Sequence, residues 1–149
     1  MNSVLGTQFE ASLRVLVLLE AAHEEMLTEG EIVAFDYIAA YAHDFGVAVT
    51  NLHGDSQYRF NELVARRELI KRGIKNLVLD GLVAVEKTNQ GFLFSITPEG
   101  FSFVFNLDNT YANDYYDVVV NVMASFRGKS EDALFRIINQ RIIKSVQRG

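Results

Sequence analysis

The chain has 149 residues, 49% of them hydrophobic, with 14 lysines and arginines against 19 aspartates and glutamates, one proline and no cysteine. That length suits one domain, which buries roughly two-thirds of the surface exposed by its unfolded chain, and the ordinary charge content argues against global disorder. The lack of cysteine excludes disulfides, thiolate nucleophiles and cysteine-held zinc or iron–sulfur centres.

The longest strongly apolar runs, Val15 to Leu19 and Val118 to Val120, are far short of the roughly 20 residues that span a bilayer. The opening MNSVLGTQFEASLRV has neither a basic stretch nor a small-residue cleavage site, so a cytoplasmic location is expected. Charge is unevenly spread. Residues 1–60 hold nine acids and two arginines, whereas residues 66–75 hold five bases and one acid, and residues 127–149 six bases and two acids. Either the basic segments attract a polyanion or they pair with the acidic half. A pI near 5.2 does not favour a dedicated nucleic-acid binder.

Phe9 to Ala22 reads as a helix that is apolar nearly all round, and such a helix is central to a core or an interface. Glu20 follows Leu16 on its stripe and needs a partner or a wet end. Thr28-Glu29-Gly30-Glu31 is a capping box opening a helix over about 29–45, which Gly46 ends. Residues 46–58 read as a long loop.

Phe60 to Asp80 is helical, with Gly81 as its breaker. Leu82 to Val85 and Phe92 to Ile96 alternate as two strands around a turn of about five residues, Lys87 to Gly91. Thr97-Pro98-Glu99 starts a short helix, with proline in its first turn. Two more helices follow, about 110–126 and 131–147, the second capped by Ser130.

The expected fold is mainly α with a small β-hairpin, a winged-helix-like domain elaborated by flanking N- and C-terminal helices. The chain reads as a single domain, residues 1–149, with a core over about 8–105 and a helical extension over about 110–149. A winged-helix reader of DNA would lay the helix of residues 67–80 in the major groove. Projection puts Phe60, Leu63, Ile70, Ile74, Leu77 and Val78 on one stripe with Arg67 among them. A buried Arg67 would require a carboxylate, with Glu20 or Asp36 as candidates. Lys71, Arg72 and Lys75 face solvent, either as phosphate contacts or simply as a solvated helix face.

Catalytic patterns are weak. His23, His43 and His53 lack metal-site spacing, and His53-Gly54-Asp55 reads more readily as a hydrogen-bonded turn than as a general base. Asp44-Phe45-Gly46 spells the magnesium-binding tripeptide of protein kinases, but here it ends a helix in a chain without the other kinase motifs. An enzyme is not expected, nor is a cofactor or metal.

Asp36-Tyr37, Asp44-Phe45-Gly46, Asn51-Leu52-His53-Gly54-Asp55, Tyr58, Phe60, Arg66-Arg67-Glu68-Leu69 and Leu77 to Leu82 fall in an order that resembles the middle component, second type, of bacterial ABC-three-component systems. The resemblance covers about residues 8–105. It implies anti-phage or anti-plasmid defence, with Lamassu-type relatives, and a non-catalytic subunit that holds a large SMC/Rad50-like ABC ATPase and an effector of the same operon together. It supplies no catalytic residues. Asp44, Phe45, Gly46, His53, Gly54, Asp55, Arg66 and Arg67 then read as determinants of fold and interface.

The last helix supports an assembly role if its apolar face, including Ile138 and Ile142 and flanked by Arg141, Lys144 and Arg148, docks in a partner. Its alternative is to close the chain's own core. The competing function is a stand-alone winged-helix DNA-binding regulator that uses Lys71, Arg72 and Lys75.

Overall fold

A computed structural model describes residues 3–23, 25–48 and 59–148. Helix α1 (Ser3–Ala22) leads to α2 (Glu29–Ala40) and α3 (Arg59–Leu79), then to strands β1 (Val83–Thr88) and β2 (Gly91–Ile96), and finally to α4 (Pro98–Phe105), α5 (Thr110–Ser125) and α6 (Glu131–Arg148). The fold is mainly α with a small β-hairpin, as the periodicity implied.

Helix α1 is the axis of the molecule. Every residue from Leu13 to Leu19 is buried, and since successive residues advance by about 100° this stretch of the helix is enclosed on all sides. It packs chiefly on α3 and α5, with α4 across it. Its approach to α3 is close: a Cβ added at Gly73 would stand 3.3 Å from the Ser12 Cα.

Thr28 caps α2 as the sequence indicated. Its hydroxyl accepts from the Glu31 amide at 3.0 Å, and the Glu31 carboxylate accepts from the Thr28 amide at 2.9 Å. The helix ends five residues earlier than expected. Beyond Ala40 the amides of Asp44, Phe45 and Gly46 bond three residues back, to Tyr41, Ala42 and His43. That tighter winding ends the regular α-helix, and Gly46 leaves it with a φ of +74°.

The hairpin pairs Val83 with Ile96 through Thr88 with Gly91, so only Asn89 and Gln90 lie outside the ladder. The expected turn was longer. Gly91, at a φ of +108°, lets the chain reverse this quickly. The connection between α1 and α2 is tied to the sheet, because Leu27 and Phe94 exchange both backbone hydrogen bonds, at 2.9 and 2.8 Å. Thr97 then caps α4 by accepting from the Gly100 amide, and a side chain at Gly100 would collide with the Leu82 carbonyl.

Helices α5 and α6 join the same core through Tyr115, Val119, Val122, Leu134, Ile138 and Ile142. Docking of Ile138 and Ile142 in a partner is one of the two alternatives for the last helix, the other being closure of the chain's own core. These two residues are 0% and 6% exposed, and α6 packs mainly on α2, so its apolar face is used to close this chain's own interior. The Thr28 hydroxyl donates to Glu131 at 2.6 Å, joining the N-termini of α2 and α6. Among the described residues, no helix is long and apolar enough to cross a membrane.

Candidate functional site

The main cluster of polar chemistry lies inside the helical core. Asp36, on α2, is fully buried and accepts three hydrogen bonds: from Arg14 Nε of α1 at 2.8 Å, Arg66 Nη1 of α3 at 2.8 Å and the Tyr115 hydroxyl of α5 at 2.7 Å. One carboxylate thus ties four helices together. Burial alone would push the Asp36 carboxyl up, but the two guanidiniums and the Tyr115 hydroxyl outweigh it and hold the pKa to about 2. Burial opposes the Arg14 charge too, and Asp36 outweighs it, raising that guanidinium above its ordinary value. Burial and the adjacent carboxylate push the Tyr115 phenol well up, which keeps it a donor.

The cluster has little room for chemistry on a substrate. Both oxygens of Asp36 are engaged, and both arginines are almost fully buried. Arg66 Nε makes no hydrogen bond, although Glu62 Oε1 stands 3.8 Å from it as a longer-range ion pair. Such an arrangement fixes helix positions rather than activating a nucleophile, because an unpaired charge here would cost several kcal/mol.

The buried arginine of α3 is therefore Arg66, not Arg67. Both positions fit a stripe that joins Leu63 to Ile70, one at spacings of three and four, the other at four and three. The position of Asp36 decides between them. Arg67 is exposed and sets its guanidinium over the Phe135 ring of α6, 5.1 Å from the centroid. Asp36, one of the two expected partners, is the acid in the cluster. Glu20 is partly exposed, and burial raises its pKa. Arg14 was missed in the sequence, although an arginine within an otherwise apolar helix signals a buried ion pair.

The remaining sequence candidates are dispersed. Lys71, Arg72 and Lys75 are exposed on α3, and Arg141 and Lys144 on α6. The Arg148 side chain and His53, Gly54 and Asp55 lie outside the described residues. Asp44 is half-buried in the turn after α2. Phe45 meets Tyr37 and Phe126 edge-on at 6.4 and 6.5 Å, which makes it a packing residue. Among the described residues no three or more His, Asp or Glu side chains gather as a metal site.

Large aromatic side chains instead mark the surface. Phe9 of α1 and Phe101, Phe103 and Phe105 of α4 are 60%, 45%, 43% and 77% exposed. Phe101 and Phe105 stack with centroids 6.3 Å apart. Phe9 and Phe103 line a cleft of about 350 Å³ together with Leu13, Leu16, Leu77 and Leu82. The sequence marked α4 but did not reveal that its phenylalanines are exposed, because a short helix with four apolar residues in its last five reads as buried.

No curated protein and no solved structure matches the chain. The family model for Middle Component 2 of the ABC-three component (ABC-3C) system matches residues 4–148, so the likeness expected to fade near residue 105 runs on through the two C-terminal helices. The chain, with its buried Asp36 cluster and its helix-on-helix core, belongs to the Middle Component 2 family of ABC-three component systems.

Proposed function

We propose that this chain is a non-catalytic cytoplasmic subunit that bridges the system's large SMC/Rad50-like ABC ATPase and its effector in defence against phages or plasmids. The family match over residues 4–148 carries the reading, since it makes the chain an accessory component of a multi-component system. The physical chemistry supports it. The polar cluster at Asp36 is buried with both carboxylate oxygens engaged, while several large apolar side chains are exposed, which suits an assembly part better than a catalyst.

The test is affinity purification of the tagged chain from its native operon with mass spectrometry of what stays bound. Recovery of both the ATPase and the effector is expected. A homodimer that carries DNA and neither component would overturn the reading.

Exposure of Lys71, Arg72 and Lys75 on α3, immediately before the hairpin, favours a second reading. In it the order α1, Leu27 bridge, α2, α3 and hairpin forms a winged helix, and α3 contacts DNA phosphates. Replacing the three cations with alanine would then lower the log–log salt slope of DNA binding by up to about three. Unchanged DNA affinity would remove this reading.

A further inference from the structure

The hairpin leaves one strand edge open. Leu27 exchanges both backbone hydrogen bonds with Phe94, so the amide and carbonyl of Phe94 point away from β1. Phe94 stands opposite Val85 in the ladder, and in an antiparallel pair opposite residues either both point their backbone groups at each other or both point them away. The amide and carbonyl of Val85 therefore point away from β2, and so do those of Lys87 two residues on. Among the described residues no hydrogen bond reaches these four groups, and Ala84, Val85, Glu86 and Lys87 are all exposed.

Such an edge, with two donors and two acceptors in antiparallel spacing, accepts an extended chain as a further strand. Side chains decide which chain fits, because opposite residues of neighbouring strands share a face. Across the hairpin Lys87 faces Phe92 and Glu86 faces Leu93, so neither has a counter-charge within the sheet. A second copy paired antiparallel does not supply one. Glu86 and Lys87 lie on opposite faces, so Glu86 of one copy never stands opposite Lys87 of the other. Pairing centred on Val85 sets the two Glu86 side chains diagonally, and pairing centred on Glu86 or Lys87 sets like charges face to face. A strand with an acid opposite Lys87, an apolar residue opposite Val85 and a base opposite Glu86 meets all three demands.

We propose that the open edge of β1 takes up an extended segment of another component of the same system as a further strand of the sheet, with an acid against Lys87 and an apolar side chain against Val85. This rests on the assembly reading above.

The first test is hydrogen–deuterium exchange at single-residue resolution, on the full-length chain alone and co-expressed with the ATPase and effector of its operon. The inward amides of Ala84 and Glu86 report the hairpin itself. At the outward amides of Val85 and Lys87, exchange about tenfold slower or more is expected in the complex than in the free chain. Unchanged exchange there in a complex that forms would overturn this proposal and leave the assembly reading standing. Concentration-dependent protection in the isolated chain would assign the edge to a second copy and overturn it as well. A chain that retains neither component would overturn the assembly reading, and this proposal with it.

The second test uses Val85→Pro, which removes an outward N–H that the hairpin does not use, at an edge position where proline is tolerated. Circular dichroism and thermal melting check its fold. Recovery of one component is expected to fall about tenfold or more in Val85→Pro and less than about threefold in Val85→Ala, which keeps the N–H. Equal recovery with the two variants would overturn main-chain pairing. Lys87→Glu is expected to lower recovery of the same component about threefold or more, and unchanged recovery would overturn the acid-bearing strand.

Discussion

The centre of this molecule and the outer face of α4 reverse the usual distribution of residues, in opposite ways. At the centre, a carboxylate, two guanidiniums and a phenol lie where aliphatic side chains are normally found. On α4, phenylalanines lie where charges are normally found. In the polar centre both oxygens of Asp36 have donors and each arginine has its acid, although Arg66 Nε makes no hydrogen bond. The aromatic face has no such counterpart among the described residues. The first arrangement fixes helix positions, whereas the second leaves large rings open to solvent in the single chain.

Breaking the centre is expected to have the largest effect. Asp36→Asn leaves two buried guanidiniums without their counter-charge and is expected to cost about 3–5 kcal/mol in urea unfolding. Next comes the contrast between neighbours. Arg66→Met removes a charge-assisted bond to Asp36 and is expected to cost about 2–3 kcal/mol, whereas Arg67→Met loses only an exposed contact with Phe135, worth about 0.5–1 kcal/mol. Equal losses for the two would contradict the assignment of Arg66 as the buried residue.

Acid acts on the same carboxylate. The folded pKa of Asp36, about 2, lies below its ordinary 3.8. Its ionised form therefore stabilises the fold fully above about pH 4, and that contribution, of order 2 kcal/mol, is lost as pH falls through about 2. Chemical unfolding in steps from pH 5 to pH 2 should show this decline in wild type, and a shallower one in Asp36→Asn. The smallest effect belongs to the aromatic face: Phe105→Ser is expected to leave stability within about 0.5 kcal/mol. A large drop in its melting temperature would mean that this ring supports the fold.

The parts legible in the sequence were those with a local cause. The capping box at Thr28, the proline start of α4 and the two apolar strands each depend on residues a few positions apart. The choice between Arg66 and Arg67 depends instead on Asp36, 30 residues away, and periodicity cannot resolve positions equally close to the stripe's centre. The last helix showed its apolar face plainly, yet whether that face meets this chain or another depends on α2, which the pattern of α6 does not contain. The candidate site was the least legible part, because a short helix with phenylalanines at alternate positions has the same composition whether it is covered or bare.

The Asp36 cluster also sets a schedule. Arg14, Asp36 and Arg66 are made well before Tyr115, whose hydroxyl reaches Asp36 across 79 residues of chain. At 5–20 residues per second that interval lasts on the order of 4–16 s on the ribosome. Until then the carboxylate lacks one donor, and α5 is not present to cover it. A nascent chain is therefore open at its centre until most of it has been synthesised.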